Sequence, residues 1–150
     1  MRIFNIVKGF EEQDVKLPAR GSALSAGYDF HTIKEMTLPP SSVTMVQTGV
    51  KAYMPDNEVL LIYVRSSTAI KKGLTLKNQT AVIDADYAFA DNDGHIVLAI
   101  ENNSNQEYTL EKHERIAQGV FVQYGITDDD KAKGKRTGGI GSTDKGDNIG

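Results

Sequence analysis

The sequence predicts an all-β protein, a sandwich or barrel of short strands. Three observations carry that prediction: several β-branched-rich segments of strand length, turn signals spaced closely between them, and a single short stretch of helical character. The longest apolar run, Val59-Leu60-Leu61-Ile62-Tyr63-Val64, is continuous, as a strand buried on both faces would be. Residues 116–124 alternate at period two, with Ile116, Gln118, Val120, Val122 and Tyr124 on one side. Residues 44–50 and 95–100 are two further β-branched-rich segments. Turns are marked by Pro39-Pro40-Ser41-Ser42, Met54-Pro55-Asp56-Asn57 and Asn102-Asn103-Ser104-Asn105. The helical stretch is 67–72, stopped by Gly73. From about Thr127 onward apolar residues nearly vanish. The expected organisation is a folded unit over 1–126 and a flexible C-terminal arm over 127–150, with no internal repeat.

Composition limits the function classes. A chain of 150 residues with 39% hydrophobic and 25% charged residues is long enough for one domain with a real core. The net charge of −3 provides no basic field for a nucleic-acid polymer, so any phosphate site has to be local. Cysteine is absent, which excludes disulfides, thiolate catalysis and a cysteine zinc site. His31, His95 and His113 lack ligand spacing and read as surface or turn residues. No window is apolar over the length a membrane span needs, and the first eight residues do not form a signal-peptide core, so no membrane partner and a cytoplasmic location are expected.

Five segments carry chemistry. Near the end of the chain, Lys135-Arg136-Thr137-Gly138-Gly139-Ile140-Gly141-Ser142-Thr143 combines glycines, which let backbone N–H groups turn toward an anion, with a guanidinium and hydroxyls. With seven residues following Thr143, no helix of Walker type can cap it, so it reads as an arm that closes over a phosphate bound elsewhere, or else as a plain Gly/Ser/Lys terminus. Val82-Ile83-Asp84-Ala85-Asp86-Tyr87 puts two acids at i and i+2, on one face if the segment is a strand; either a carboxylate there activates a water, or the pair is a solvated hairpin. Arg65-Ser66-Ser67 lies between the longest apolar run and the helical stretch, where it suits an anion site or a serine cap equally. Glu114-Arg115-Ile116-Ala117-Gln118 opens a strand with a turn-side ion pair, and Ala26-Gly27-Tyr28-Asp29-Phe30 is a small-residue turn with one acid.

In this order and spacing, the five segments resemble the five motifs of the trimeric deoxyuridine triphosphatases (dUTPases), and the lead-in Leu17-Pro18-Ala19-Arg20-Gly21-Ser22-Ala23 extends the likeness over nearly the whole chain. The resemblance implies a distorted jelly-roll-like β-barrel assembled as a homotrimer, whose active sites are shared between chains. It implies hydrolysis of dUTP to dUMP and pyrophosphate, with magnesium bound chiefly through the substrate phosphates. Asp84 matches the residue that activates water at the α-phosphate, and Tyr87 the one that stacks under the sugar and excludes a 2′-hydroxyl. Asn78 matches the uracil-reading position beside a tight backbone that includes Ala81. Arg65, Ser66, Ser67 and Gln118 match groups around the phosphates, Asp29 and Gln118 residues that hold waters on magnesium, and Asp86 a supporting salt-bridge residue. Arg136, Gly138, Gly139, Gly141, Ser142 and Thr143 match the arm's grip on the γ-phosphate, and the resemblance implies that Asp29, Asp84 and Arg136 meet only between chains.

Departures from the family pattern are specific. Ala81 stands where glycine is usual, Val64 where proline or a small residue often precedes the arginine motif, and Phe89 where glycine usually follows the tyrosine by two positions, before an extension at 91–94. Ile140 replaces the arm's aromatic lid, a combination that resembles a subgroup from Gram-positive bacteria and their phages. Phe89 then either supplies the missing lid over uracil or fills a gap beneath the extension. Two other activities fit the same fold: a dCTP deaminase-like enzyme, against which the aspartate–tyrosine motif and the complete arm weigh, and a non-catalytic nucleotide-sensing module, which would need neither Asp84 nor the arm.

Overall fold

The structure, a computed structural model, describes residues 1–139. The chain runs through strands β1 (Ile3–Ile6), β2 (Ala19–Arg20), β3 (Tyr28–His31), β4 (Met36–Leu38), β5 (Ser42–Gln47) and β6 (Val50–Tyr53). β7 (Glu58–Val64) leads into helix α1 (Ser66–Lys72), followed by β8 (Leu74–Leu76), β9 (Ala81–Asp84) and a 3₁₀ turn at Ala85–Phe89. β10 (Val97–Asn102), β11 (Tyr108–Leu110) and β12 (Arg115–Gln123) complete the sheets. Residues 124–139 contain no strand or helix, and no helix among the described residues is long and apolar enough to cross a membrane.

Every strand pairing is antiparallel. A five-stranded sheet of order β2-β3-β12-β7-β9 faces a three-stranded sheet β5-β10-β8 across the core, with the pairs β1-β6 and β4-β11 alongside. Among the described residues these sheets enclose one core without joining into a single closed hydrogen-bonded ring. Phe30, Leu60, Ile62, Leu98, Ile100 and Ile116 are essentially excluded from water at its centre. Burying such side chains is the main favourable contribution to the fold, about 1.5–3 kcal/mol each.

Four expectations change in the structure. The run at 59–64 is not buried on both faces: Glu58, Leu60 and Ile62 point inward, while Val59, Leu61 and Tyr63 stay partly open to solvent. The segment holding Asp29 is not merely a turn, because Tyr28–His31 forms β3 with Asp29, Phe30 and His31 buried. His31 and His95 are buried rather than superficial; His113 does occupy a turn, with φ of 62°. Glu114 and Arg115 form no mutual pair: Lys72 Nζ lies 3.0 Å from Glu114, and Arg115 turns to Asp29. The burial changes follow from which sheet face packs on the core, and the changed ion pairs from contacts between residues far apart in the chain.

Candidate active site

Within the described residues β9 pairs with β7 alone, so its outer edge faces a cleft of about 500 Å³. An edge strand presents unpaired N–H and C=O groups, and the cleft adds apolar walls from Leu76, Ile96 and Leu98. Main chain that reads polar edges beside apolar walls suits a flat heterocycle. Asn78 enters from the turn between β8 and β9, where its carbonyl accepts the Thr80 N–H at 2.7 Å and Gln79 has φ of 65°. Ala81 lies 8% exposed on the cleft wall, so the strand accommodates a methyl where the family usually has glycine.

Tyr87 forms part of the cleft lining and is fixed from behind. Its hydroxyl donates to the His95 carbonyl at 2.6 Å and accepts from Asn92 Nδ2 at 2.9 Å. The His95 ring is itself pinned, with Nε2 accepting the Gly49 N–H at 2.9 Å. Burial lowers the His95 pKa below its ordinary value, which favours the neutral ring that can accept this bond.

Asp84 ends β9 and Asp86 lies in the following 3₁₀ turn, so the two acids are not successive same-face residues of one strand. They nevertheless converge on one cation. Arg136 Nη2 donates to Asp84 Oδ2 at 2.6 Å, and Arg136 Nε donates to Asp86 Oδ1 at 2.9 Å. The same guanidinium lies 5.6 Å from the centroid of the Tyr87 ring. Its side chain is 11% exposed, whereas Asp84 and Asp86 are 51% and 55% exposed. Arg136 and Asp84 therefore meet within one chain, against the expectation that these motifs meet only between chains. Gly139 lines the cleft, and its carbonyl accepts a long bond of 3.5 Å from Arg136; Gly138 adjoins it in the arm. Ile140, Gly141, Ser142 and Thr143 lie outside the described residues.

A second pocket, about 650 Å³, gathers Asp29, Arg65, Ser66, Ser67, Arg115 and Gln118. Arg65 Nε lies 3.2 Å from Asp29 Oδ1, and Arg115 Nη1 donates to Asp29 Oδ2 at 3.4 Å. Two guanidiniums against one carboxylate leave the pocket locally positive, as phosphate binding requires. No side chain caps α1, which removes the capping explanation for Ser66 and Ser67. Gly27 permits close approach: a Cβ there would stand 2.6 Å from Gln118 Oε1. Among the described residues no three His, Cys, Asp or Glu side chains cluster as a metal cage. One carboxylate with a neighbouring amide instead suits a magnesium ion that arrives on phosphates and retains its waters.

Asp84 at the rim of the cleft lies on the same face of the five-stranded sheet as Tyr63, Gln118 and Asp29 of the second pocket. Asp84 pairs with Val59, Tyr63 pairs with Gln118, and Gln118 pairs with Asp29; partners across antiparallel strands point the same way. Asp84 and Asp29 thus sit three strands apart and four residues apart along the strand axis, roughly 20 Å by ordinary strand spacing and rise. Between them the face is apolar, with Val59, Leu61, Val82, Val120 and Val122 all partly exposed.

The dUTPase family model matches residues 13–144, which include every segment that builds both pockets. This chain belongs to the dUTPase family. It is 40% identical over 146 residues to a deoxyuridine 5′-triphosphate nucleotidohydrolase of Lactococcus lactis, covering 95% of this chain and 97% of that protein. The crystal structure of dUTPase from Streptococcus mutans superposes with a TM-score of 0.77 at 39% identity, over 83% of this chain and 98% of that one. The fold is also that of a dUTPase from phage phi11 of S. aureus described with a structural Mg(II) ion, with a TM-score of 0.72 at 19% identity over 89% and 97% of the two chains.

Against this dUTPase fold, Phe89 is the site residue that falls out of place. It does not line the cleft of its own chain. It stands 73% exposed, with its ring 5.6 Å from Tyr53, and borders a shallower hollow with Asp56, Asp86, Tyr124 and Arg136. That exposure also removes the gap-filling alternative. Sequence reasoning missed Arg115 and Asn92. Arg115 reaches Asp29 through the β3–β12 register, which no local pattern encodes. Asn92 sits in the extension after Phe89, whose length was the only signal.

Proposed function

We infer that this chain hydrolyses dUTP to dUMP and pyrophosphate. The observation that carries the inference is the Asp84 carboxylate on the rim of a cleft of nucleobase size, with the arm's guanidinium lying across it. A carboxylate in that position takes a proton from a water that attacks the α-phosphate. Asn78 and the main chain around Ala81 read the uracil, and the cleft-facing side of Tyr87 supports the deoxyribose. Arg65, Ser66, Ser67 and Gln118 bind the phosphates. Asp29 and Gln118 would hold magnesium through its waters; the ion, carried on the triphosphate, neutralises phosphate charge.

The distance across the sheet supports assembly as a homotrimer. A carboxylate and a phosphate pocket roughly 20 Å apart cannot serve the same α-phosphate within one chain. The apolar strip between them would be covered by a neighbouring chain, which brings its own phosphate pocket to this cleft. Arg136 has to leave the two carboxylates to reach the γ-phosphate, so the described part of the arm, residues 127–139, has to move relative to the folded unit over 1–126. Gly138, Gly139, Gly141, Ser142 and Thr143 would line the closed arm with donors. Phe89, exposed at the rim, is available to a neighbouring chain. Such an enzyme acts on the nucleotide pool of the cytoplasm, without a nucleic-acid polymer or membrane as partner.

The test is pyrophosphate release with dUTP, dCTP, dTTP and UTP in parallel, with and without magnesium. Release from dUTP alone, abolished by chelation, is expected. Equal turnover of dCTP or UTP would contradict the assignment.

A further inference from the structure

The turn at 91–94 touches both the sugar-facing tyrosine and the arm, and Asn92 is where the two contacts meet. Its Nδ2 donates to the Tyr87 hydroxyl at 2.9 Å, and its Oδ1 accepts the Gly94 N–H at 3.1 Å. On the opposite flank the Asp91 N–H donates to the Thr137 carbonyl at 2.8 Å. A Cβ placed on Gly139 would stand 3.0 Å from Asn92 Nδ2, so the arm's main chain lies flat against the same amide. The turn is rigid for identifiable reasons. Asp93 accepts from Lys51 Nζ at 2.8 Å and from the Lys8 N–H at 2.9 Å. Gly94 has φ of +70°, and a Cβ there would come within 2.6 Å of the Ala88 Cα.

We propose that Asn92 is a specificity-determining positioning residue: it fixes the plane of the Tyr87 ring against a 2′-hydroxyl. The proposal rests on the dUTP reading above. The Tyr87 hydroxyl makes two bonds, one donated to His95 and one accepted from Asn92. With both in place the ring cannot tilt without breaking one of them. With only the His95 bond it can rock about that single anchor, and a ribonucleotide differs from a deoxyribonucleotide by one oxygen atom. A small tilt is therefore enough to admit the wrong sugar. Gly139 rests on the same amide, so the arm packs over the group that holds the tyrosine.

The test compares kcat/KM for dUTP and UTP in the full chain and in Asn92→Asp, Asn92→Ala, Tyr87→Phe and the Asn92→Asp/Tyr87→Phe double variant, with Tm measured for each. Asn92→Asp keeps the acceptor for Gly94 but replaces the amide donor by a second acceptor, so the one Tyr87 proton can serve either it or the His95 carbonyl and the two-bond anchor is lost; the variant remains informative if Asn92→Ala folds poorly. The expected result is a dUTP-to-UTP preference lowered about three- to tenfold, the scale of one neutral hydrogen bond, with Tm little changed. In the Tyr87→Phe background Asn92→Asp should lower it no further, which a merely structural asparagine would not satisfy. Wild-type preference in both Asn92 single variants, or an equal fall with and without the Tyr87 hydroxyl, would overturn the proposal while leaving the function standing. A wild-type chain that hydrolyses neither nucleotide would overturn both.

Discussion

The cleft at the edge of β9 and the pocket beside α1 are built on opposite principles. The cleft has apolar walls, an open strand edge and a rigid floor, with Tyr87 tied to His95 and Asn92. Its charges sit at the rim, where Arg136 holds Asp84 and Asp86 together. The pocket beside α1 gathers its charges inside, and its one carboxylate, Asp29, already faces Arg65 and Arg115. One surface is shaped for a ring and the other for an anion, and the strip between them is apolar. On the proposed function each is half of a nucleotide site, and a neighbouring chain joins the halves.

Four measurements sharpen or break that contrast. The largest effect belongs to Asp84. Asp84→Asn retains shape and loses the proton acceptor, so turnover of dUTP should fall about 10²–10⁴-fold while a non-hydrolysable analogue binds as before. A variant with more than about a tenth of the wild-type rate would remove Asp84 as the base. Arg136→Gln comes next, and its effect should depend on the ligand. The triphosphate analogue should bind more weakly by about 1.5–3 kcal/mol, the worth of a hydrogen bond to a charged group. Binding of dUMP should be undiminished, because it lacks the γ-phosphate and Arg136 can stay on the rim carboxylates. Equal weakening of both ligands in calorimetry would show that Arg136 serves the nucleoside half instead.

Behind each pocket lies a buried histidine, which yields a stability prediction. Burial lowers the pKa of His95; for His31 burial acts first and Lys16 adds to it, against an opposing effect of Asp29. The unfolded chain takes up these protons below the ordinary value near 6.5, and the folded chain resists doing so. Their contribution is therefore complete above that pH and is lost as the pH falls through the depressed folded values. Thermal melts between pH 7 and 5 should show Tm falling, with a shallower slope in His95→Asn, where the ring that accepts from Gly49 is gone. An unchanged slope would assign the acid sensitivity elsewhere. The smallest effect is expected at Phe89. Being 73% exposed, it should tolerate alanine within about 0.5 kcal/mol of stability. A large loss by denaturant titration would mean that it is packed in the assembled protein.

The legible part of this molecule was its strand pattern and its local motifs. The apolar run before Arg65, the period-two segment after Arg115 and the turn signals between strands correspond to β7, β12 and their connections. Shorter strands were not legible: β2, β8 and β11 have two or three residues each, too few for a period to register. For the site, residue types were visible and partnerships were not. Asp84 and Asp86 were recognised as a pair, but their shared cation lies 52 and 50 positions away. Asn92 was visible only as part of an extension, because its role depends on a turn that folds back onto Tyr87. Phe89 shows the limit from the other side: its burial could not be deduced from its type, and the structure leaves it in solvent.

The central claim is that a cleft from one chain works with a phosphate pocket from another. Complementation between two inactive variants tests it most directly. Asp84→Asn chains and Arg65→Ala chains, each inactive alone, are mixed under conditions that exchange subunits, and exchange is verified by mass spectrometry. With random mixing of equal amounts in a symmetric trimer, about a quarter of sites would combine an intact Asp84 with an intact Arg65 from different chains. Recovery of dUTP hydrolysis toward that level is the predicted result. Mixed trimers that remain as inactive as their parents would contradict the account and place the whole site within one chain.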